Sequence, residues 1–198
     1  MNRPVLVVAT RNPGKVTEIN AALAGLALAV TGLDPALPEV EETGATFIEN
    51  ARLKARAARN GTGCSALADD SGLVVDVLGD APGVHSARWA PSTAERNARL
   101  VRELAGVPAP QRTARFVSAI VICTRGGREV VVEAACEGSI GLAPRGTGGF
   151  GYDPLFVLPD GHTMAELSLS EKNAISHRGK ALEQAVQALA ALLREEAL

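Results

Sequence analysis

Four polar blocks in this 198-residue chain carry side chains suited to phosphate, metal or acid–base chemistry. The first is Thr10-Arg11-Asn12-Pro13-Gly14-Lys15, between a short apolar run at residues 4–9 and a stretch of helical spacing. Backbone N–H groups in a first helical turn, at the positive end of the helix dipole, form an anion site, and Lys15 adds a full charge. The block is not a Walker A loop, which needs Gly at the place of Ala9 and Ser or Thr at that of Val16. The second block is Glu41-Glu42-Thr43-Gly44, followed by Glu49, Asn50 and Lys54. The third, Asp69-Asp70-Ser71-Gly72, closes the apolar run at residues 65–68. Paired carboxylates beside apolar structure resist double ionisation unless a cation lies near them. Mg²⁺ takes one or two protein carboxylates together with phosphate oxygens, which suits this pair with Glu41 or Glu42. An Asp-Ser-Gly turn is the structural alternative.

The fourth block, residues 146–153, reads GTGGFGYD and contains Phe150, Gly151, Tyr152 and Asp153. Glycines around an aromatic let backbone approach a flat ligand, and aromatic faces stack on nucleobases. The chain has six aromatics, and two of them fall in this block. Downstream lie Lys172 and the pair His177-Arg178, expected in the first turn of the last helix. Cations there oppose the helix dipole, so a purely structural motive is weak. Of four lysines, against sixteen arginines, three (Lys15, Lys54, Lys172) lie in or beside these blocks.

The elements that must position these groups alternate between strand and helix. Residues 4–9 read as a buried strand, and Val16, Ile19, Leu23 and Leu26 recur at helical spacing after it. A second strand is expected near residues 28–31. Thr46 with Glu49, and Ser92 with Glu95, are capping-box patterns opening two helices, the first ending at Asn60-Gly61. Residues 64–68 and 73–77 read as two strands with the acidic block looped between them. A long hairpin is expected over residues 116–124 and 129–135, with shorter strands at 139–142 and 154–158. The last helix is expected over residues 176–196. A strand–helix start with a central hairpin implies an α/β fold with a mixed central sheet flanked by helices. Residues 1–198 are expected to form one domain in two lobes.

With 46% hydrophobic and 21% charged residues, disorder and a disulfide miniprotein are excluded. A net charge of −2 gives no general attraction for nucleic acid or an anionic membrane, so neither is expected as a partner. No apolar run approaches the ~20 residues of a membrane helix, and residues 1–9 lack a signal-peptide pattern. Cys64, Cys123 and Cys136 are far apart without a CxxC pattern, which implies free thiols and a cytoplasmic setting. His85, His162 and Trp89 are read as loop, core or interface residues.

The segments VVATRNPGK, EETGATFIENARLKA, ALADDSGLVVDVLGDAPGVHSARWA, GTGGFGYDPLF and SEKNAISHRGKAL resemble the inosine triphosphate pyrophosphatase family in order and spacing, over about residues 4 to 190. The resemblance implies two lobes with a substrate cleft between them, a homodimer, and Mg²⁺ dependence. It implies hydrolysis of ITP, dITP and XTP to the monophosphate and pyrophosphate, clearing them from the nucleotide pool. Carried over by motif, Thr10, Arg11, Asn12, Pro13, Gly14 and Lys15 hold phosphates, and Lys54 faces one. Glu41 and Asp70 bind Mg²⁺, with Glu42 the alternative to its neighbour, and Asp70 is the general base. Ser71, Phe150, Gly151, Tyr152, Asp153, Lys172, His177 and Arg178 contact the nucleotide. The competing readings are a septum-formation-inhibitor type of nucleotide hydrolase, a P-loop kinase or ATPase, and a non-catalytic nucleotide-binding module.

Overall fold

The computed structural model describes residues 3–195 and 198. Its strands are β1 (Val5–Val8), β2 (Ala29–Gly32), β3 (Ser65–Val75), β4 (Thr113–Cys123), β5 (Glu129–Ile140) and β6 (Phe156–Val157). They form one six-stranded sheet in the order β2-β1-β3-β4-β5-β6. β1 runs parallel to β2 and β3, whereas β5 and β6 are antiparallel, so the sheet is mixed as expected.

Among the described residues five α-helices join the strands, and the sequence explains most of their starts. In α1 (Pro13–Leu23), Asn12 is the N-cap and Pro13 supplies a pre-set φ at the first position. Complete capping boxes open α2 (Phe47–Thr62) at Thr46/Glu49 and α3 (Thr93–Glu103) at Ser92/Glu95. A further one, at Ser168/Glu171, opens the short α4 (Leu169–Ile175), an additional helix beyond those expected. The last helix, α5 (His177–Arg194), begins at His177 as expected. The end expected at Glu196 lies outside the described residues.

Three expected boundaries are corrected. α2 continues through Asn60-Gly61 and ends at Gly63, whose φ of 67° makes it the left-handed cap. Gly61 lies within the helix with Leu37 packed against it; a Cβ there would meet Leu37 Cδ2 at 2.7 Å. Residues 139–140 are the end of β5 rather than a separate strand, and the strand expected at 154–158 shrinks to Phe156–Val157. Most important, β3 is one continuous strand of eleven residues, and Asp69-Asp70-Ser71-Gly72 lies inside it rather than in a loop.

The chain divides into two compact units, residues 1–70, 118–134 and 179–198 in one and residues 71–117 and 135–178 in the other. In the first, Leu6 and Val8 of β1, Ile19 and Leu23 of α1, and Ile120 and Ile122 of β4 pack with Leu182, Leu189 and Leu192 of α5. In the second, Leu73, Leu100, Phe116, Leu155, Phe156 and Met164 form the centre of the core. Among the described residues no helix is long and apolar enough to cross a membrane. Cys64, Cys123 and Cys136 form no disulfide, as expected, with Cys64 half-buried and the others buried.

Candidate active site

Within the first unit, the parallel register of β1 and β3 brings the first polar block beside the acidic one. Val8 lies opposite Leu67, and the Ala9 N–H donates to the Leu67 carbonyl at 2.7 Å. The chain therefore leaves β1 close to the level of Asp69. Lys15, in the first turn of α1, donates to Asp69 Oδ2 at 2.6 Å. Asp69 is fully buried and also accepts from the Ser118 hydroxyl on β4. Consecutive strand residues point to opposite faces, and Asp70 accordingly meets a different lysine. Lys54 Nζ, on α2, donates to Asp70 Oδ1 at 2.7 Å and to Glu42 Oε1 at 2.9 Å.

The paired acids therefore do not share one cation; each has its own ammonium. A cation near each acid is what the paired carboxylates were expected to need, and it accompanies the continuous strand. Local charge matching lets two carboxylates occupy a strand interior that polarity alone marks as a loop. Asp70 nevertheless keeps one acceptor in reserve, because its Oδ2 is buried and has no hydrogen-bond partner among the described residues. Burial pushes the Asp70 pKa above its ordinary range, and the Lys54 ammonium offsets only part of that. Burial also works against the Lys54 charge, yet Asp70 and Glu42 outweigh it and raise its pKa.

Of the two neighbouring glutamates, Glu42 is the one joined to Lys54 beside Asp70; Glu41 is exposed. Among the described residues no three acidic, His or Cys side chains come together as a ready metal cage. Two carboxylates do fit a Mg²⁺ that keeps waters and phosphate oxygens as its other ligands. The unpartnered Asp70 Oδ2 and the nearby Glu42 provide such a pair.

The helix start differs from its expectation. Asn12 Oδ1 accepts from the Gly14 and Lys15 N–H groups at 3.0 and 3.3 Å, and Asn12 N–H donates to Thr10 Oγ1 at 3.2 Å. Pro13 has no N–H, so the turn is capped by its own sequence rather than left with free donors. Arg11 is exposed and donates to the Leu37 carbonyl at 2.6 Å.

Within the second unit, the glycine-rich block is built around Asp153, which is 3% exposed. Asp153 Oδ2 accepts from the Phe150 N–H and from Lys172 Nζ, each at 2.8 Å. Gly149 must be glycine: its φ is 67°, and a Cβ would approach Asp153 Oδ2 to 2.0 Å. The half-buried Phe150 ring lies 4.5 Å from Lys172 Nζ and 5.4 Å from the Arg178 guanidinium carbon. Arg178 Nη2 donates to Ser71 Oγ at 2.7 Å. Gly151, with φ 65°, has its carbonyl held by Asn97 Nδ2 at 3.1 Å.

Two residues expected at the ligand are buried and also touch core groups. Tyr152 is buried, its hydroxyl donates to the Ser86 carbonyl at 3.0 Å, and desolvation pushes its pKa up to about 12. His177 is 4% exposed and stacks on Phe116, with ring centroids 4.8 Å apart and planes inclined by 20°. Phe116 and Ser118 were not singled out from the sequence. Ser118 had a signal: it is the one hydroxyl in the buried apolar run of residues 116–123, and a buried hydroxyl needs a partner. Asn50, already part of the second block, precedes Lys54 by one helical turn in a capped helix. Trp89 is half-buried, with the Arg99 guanidinium 4.3 Å from its ring, while His85 and His162 are exposed.

The mixed α/β fold thus carries an acid–lysine group in one unit and a cation-flanked aromatic in the other. The chain belongs to the Ham1 family, whose model matches residues 6–188. It is 55% identical over 196 residues to a protein of Symbiobacterium thermophilum named dITP/XTP pyrophosphatase, covering 98% of this chain and 100% of that one. A protein of the same name from Nitratidesulfovibrio vulgaris is 53% identical, with 94% and 96% covered. Among solved structures, a HAM1 protein from Coxiella burnetii superposes with a TM-score of 0.88 at 40% identity, covering 95% of this chain and 99% of that one. The dITP/XTP pyrophosphatase from Mycobacterium abscessus superposes at 0.75 with 46% identity, covering 96% and 98%.

Proposed function

We infer that this protein hydrolyses non-standard purine nucleoside triphosphates (ITP, dITP and XTP) to the monophosphate and pyrophosphate. Asp70 carries the reading: a buried carboxylate with one oxygen held by Lys54 and the other unpartnered is built to take a proton or a cation. The full-length likeness to proteins named dITP/XTP pyrophosphatase supports the substrate class. β3, β4 and β5 each pass through both units, which supports one pyrophosphatase domain over residues 1–198.

The charge of the first group argues for a divalent cation. Lys15 and Lys54 supply +2, while Glu42, Asp69 and Asp70 supply −3, for a sum of −1. A triphosphate carries about four negative charges near neutral pH, so these residues alone repel it. Glu42 and Asp70 are the residues that would hold Mg²⁺, with Glu41 next to them in the chain. A bound Mg²⁺ screens the phosphate charge and lowers the pKa of water. Lys54 keeps Asp70 Oδ1 in place, so Oδ2, which has two lone pairs, can face a cation and also accept the proton of a water as the water oxygen attacks the α-phosphorus. The α-phosphorus–oxygen bond to the β-phosphate breaks, and pyrophosphate leaves with the electron pair. Lys15 and the turn formed by Thr10, Arg11, Asn12, Pro13 and Gly14 serve the phosphates, where Lys15 is held by Asp69.

In the second group, the Phe150 face takes the purine, and Arg178 with His177 supplies hydrogen-bond donors toward a 6-keto oxygen. Ser71 and the loop of Gly151, Tyr152 and Asp153, braced by Lys172, shape the surroundings of that ring. A homodimer and a cytoplasmic location follow from the family resemblance, and light scattering tests the first. The central experiment measures pyrophosphate and monophosphate release from ITP, XTP, dITP, ATP and GTP with Mg²⁺. Preference for ITP, dITP and XTP supports the reading; equal turnover of ATP, or release of orthophosphate alone, refutes it.

A further inference from the structure

The acidic loop is held at two points by one face of α2. Lys54 holds Glu42, and one helical turn earlier Asn50 Oδ1 accepts the Gly44 N–H at 2.8 Å. Asn50 is fully buried. Its amide orientation follows from its partner, because the Gly44 N–H is a donor and only the oxygen end can face it. The other end, Nδ2, is buried without a hydrogen-bond partner among the described residues. A buried amide left half-satisfied is a costly choice for a helix interior. An alanine or leucine would pack there without the penalty, so the amide's value lies in the bond to Gly44.

The other side of that bond is equally constrained. A Cβ on Gly44 would meet Glu49 Cβ at 2.6 Å, Asn50 Oδ1 at 2.8 Å and Asn50 N at 3.0 Å. Two of those contacts involve backbone or a β-carbon, which cannot swing away. Glu49 then secures the loop's exit by accepting from the Ala45 and Thr46 N–H groups at 2.7 and 3.2 Å. The loop between Glu42 and Thr46 thus has its backbone seated on α2, with the glycine allowing the close approach.

We propose that Asn50 is a positioning residue for divalent-cation binding: by seating Gly44 against α2 it sets where Glu42 lies relative to Asp70. The proposal rests on the reading of Glu42 and Asp70 as the cation pair. Hydrogen-bonded supports of this kind around a metal site change affinity by roughly 10–100-fold when removed.

The test titrates Mn²⁺ into the parent and into Asn50→Ala, Asn50→Asp and Gly44→Ala variants, reading free Mn²⁺ by electron paramagnetic resonance, alongside ITP hydrolysis. Asn50→Ala removes the acceptor, whereas Asn50→Asp keeps an oxygen facing the Gly44 N–H. Asn50→Ala and Gly44→Ala should each weaken Mn²⁺ binding by about 10-fold or more. Asn50→Asp should bind within about threefold of the parent, or tighter. The double variant Asn50→Ala/Gly44→Ala should be no weaker than the single ones, because both break one contact. If Asn50→Ala does not fold, Gly44→Ala with Asn50→Asp carries the comparison. Mn²⁺ binding by Asn50→Ala or Gly44→Ala at parental strength overturns the proposal, as does an Asn50→Asp variant as impaired as Asn50→Ala. A parent that binds no Mn²⁺ overturns both the proposal and the cation pair on which it rests. Retained ITP hydrolysis in that parent would still leave the pyrophosphatase activity standing.

Discussion

Replacing Asp70 by Asn separates catalysis from stability in opposite directions, and the structure says by how much. The substitution is isosteric, and an Asn oxygen can still accept from Lys54. Removing one partner of a buried ion pair usually costs about 3–5 kcal/mol, because the other charge is left uncompensated. Lys54 escapes that fate, since Glu42 remains 2.9 Å away. The sum over Lys15, Lys54, Glu42, Asp69 and Asp70 also rises from −1 to 0. The expected stability change is therefore within about 1 kcal/mol at neutral pH, well below the broken-pair cost.

The pH dependence carries the sign. Burial raises the folded-state pKa of Asp70 above its unfolded value, so the folded protein binds more protons between the two values. Stability from this group is present below the unfolded pKa and is lost as pH rises through the folded pKa. Asp70→Asn removes that loss. Urea melts of both proteins in EDTA, from about pH 4 to 7, should show the variant gaining on the parent as pH rises. Hydrolysis should meanwhile fall by about 10²–10⁴ with loss of the general base, or about 2.7–5.4 kcal/mol in activation free energy. ITP turnover within threefold of the parent would refute the base assignment. A pH-independent destabilisation of several kcal/mol would show that Lys54 is not compensated by Glu42.

Three further outcomes are expected. Phe150→Ala should weaken nucleotide binding by roughly 1–3 kcal/mol with little change in Tm, since the ring is half-buried between cations rather than in the core; a large fall in Tm with unchanged affinity would make it a core residue. Arg178→Ala should lower kcat/KM for ITP far more than for ATP, because a guanidinium can donate to a 6-keto oxygen but not accept from a 6-amino group; an unchanged ITP/ATP ratio would move base selection elsewhere. Tyr152 is the single tyrosine in the chain, so phenolate absorbance reads it directly, and its apparent pKa should lie near 12 in the folded protein. The corresponding loss of stability should begin as pH passes the unfolded value of about 10, and Tyr152→Phe should remove that component; a titration near 10 in protein that remains folded would contradict the buried bond to Ser86.

Sequence alone marks the starts of α1, α2, α3 and α5 and the mixed character of the sheet. These are local properties. Asn12-Pro13 and the Thr46/Glu49 and Ser92/Glu95 pairs satisfy their own first turns, and β-branched runs declare strands without help from distant residues. The motif blocks likewise single out Asp70, Lys54, Phe150 and Arg178 as candidates, and the structure shows the contacts each makes. Partnership was decided only in three dimensions, because it depends on residues far apart in the chain. Asp69-Asp70-Ser71-Gly72 reads as a loop until Lys15, Lys54 and Ser118, 54, 16 and 49 residues from their partners, bring compensation into a strand. Glu41 and Glu42 are alike in sequence, and only the position of Lys54 distinguishes them. The free amides expected at the start of α1 were already taken by Asn12, which a reading of residue types could have weighed but not measured. Local chemistry fixes where elements begin; burial and charge compensation, which are properties of the folded whole, decide what their polar residues can do.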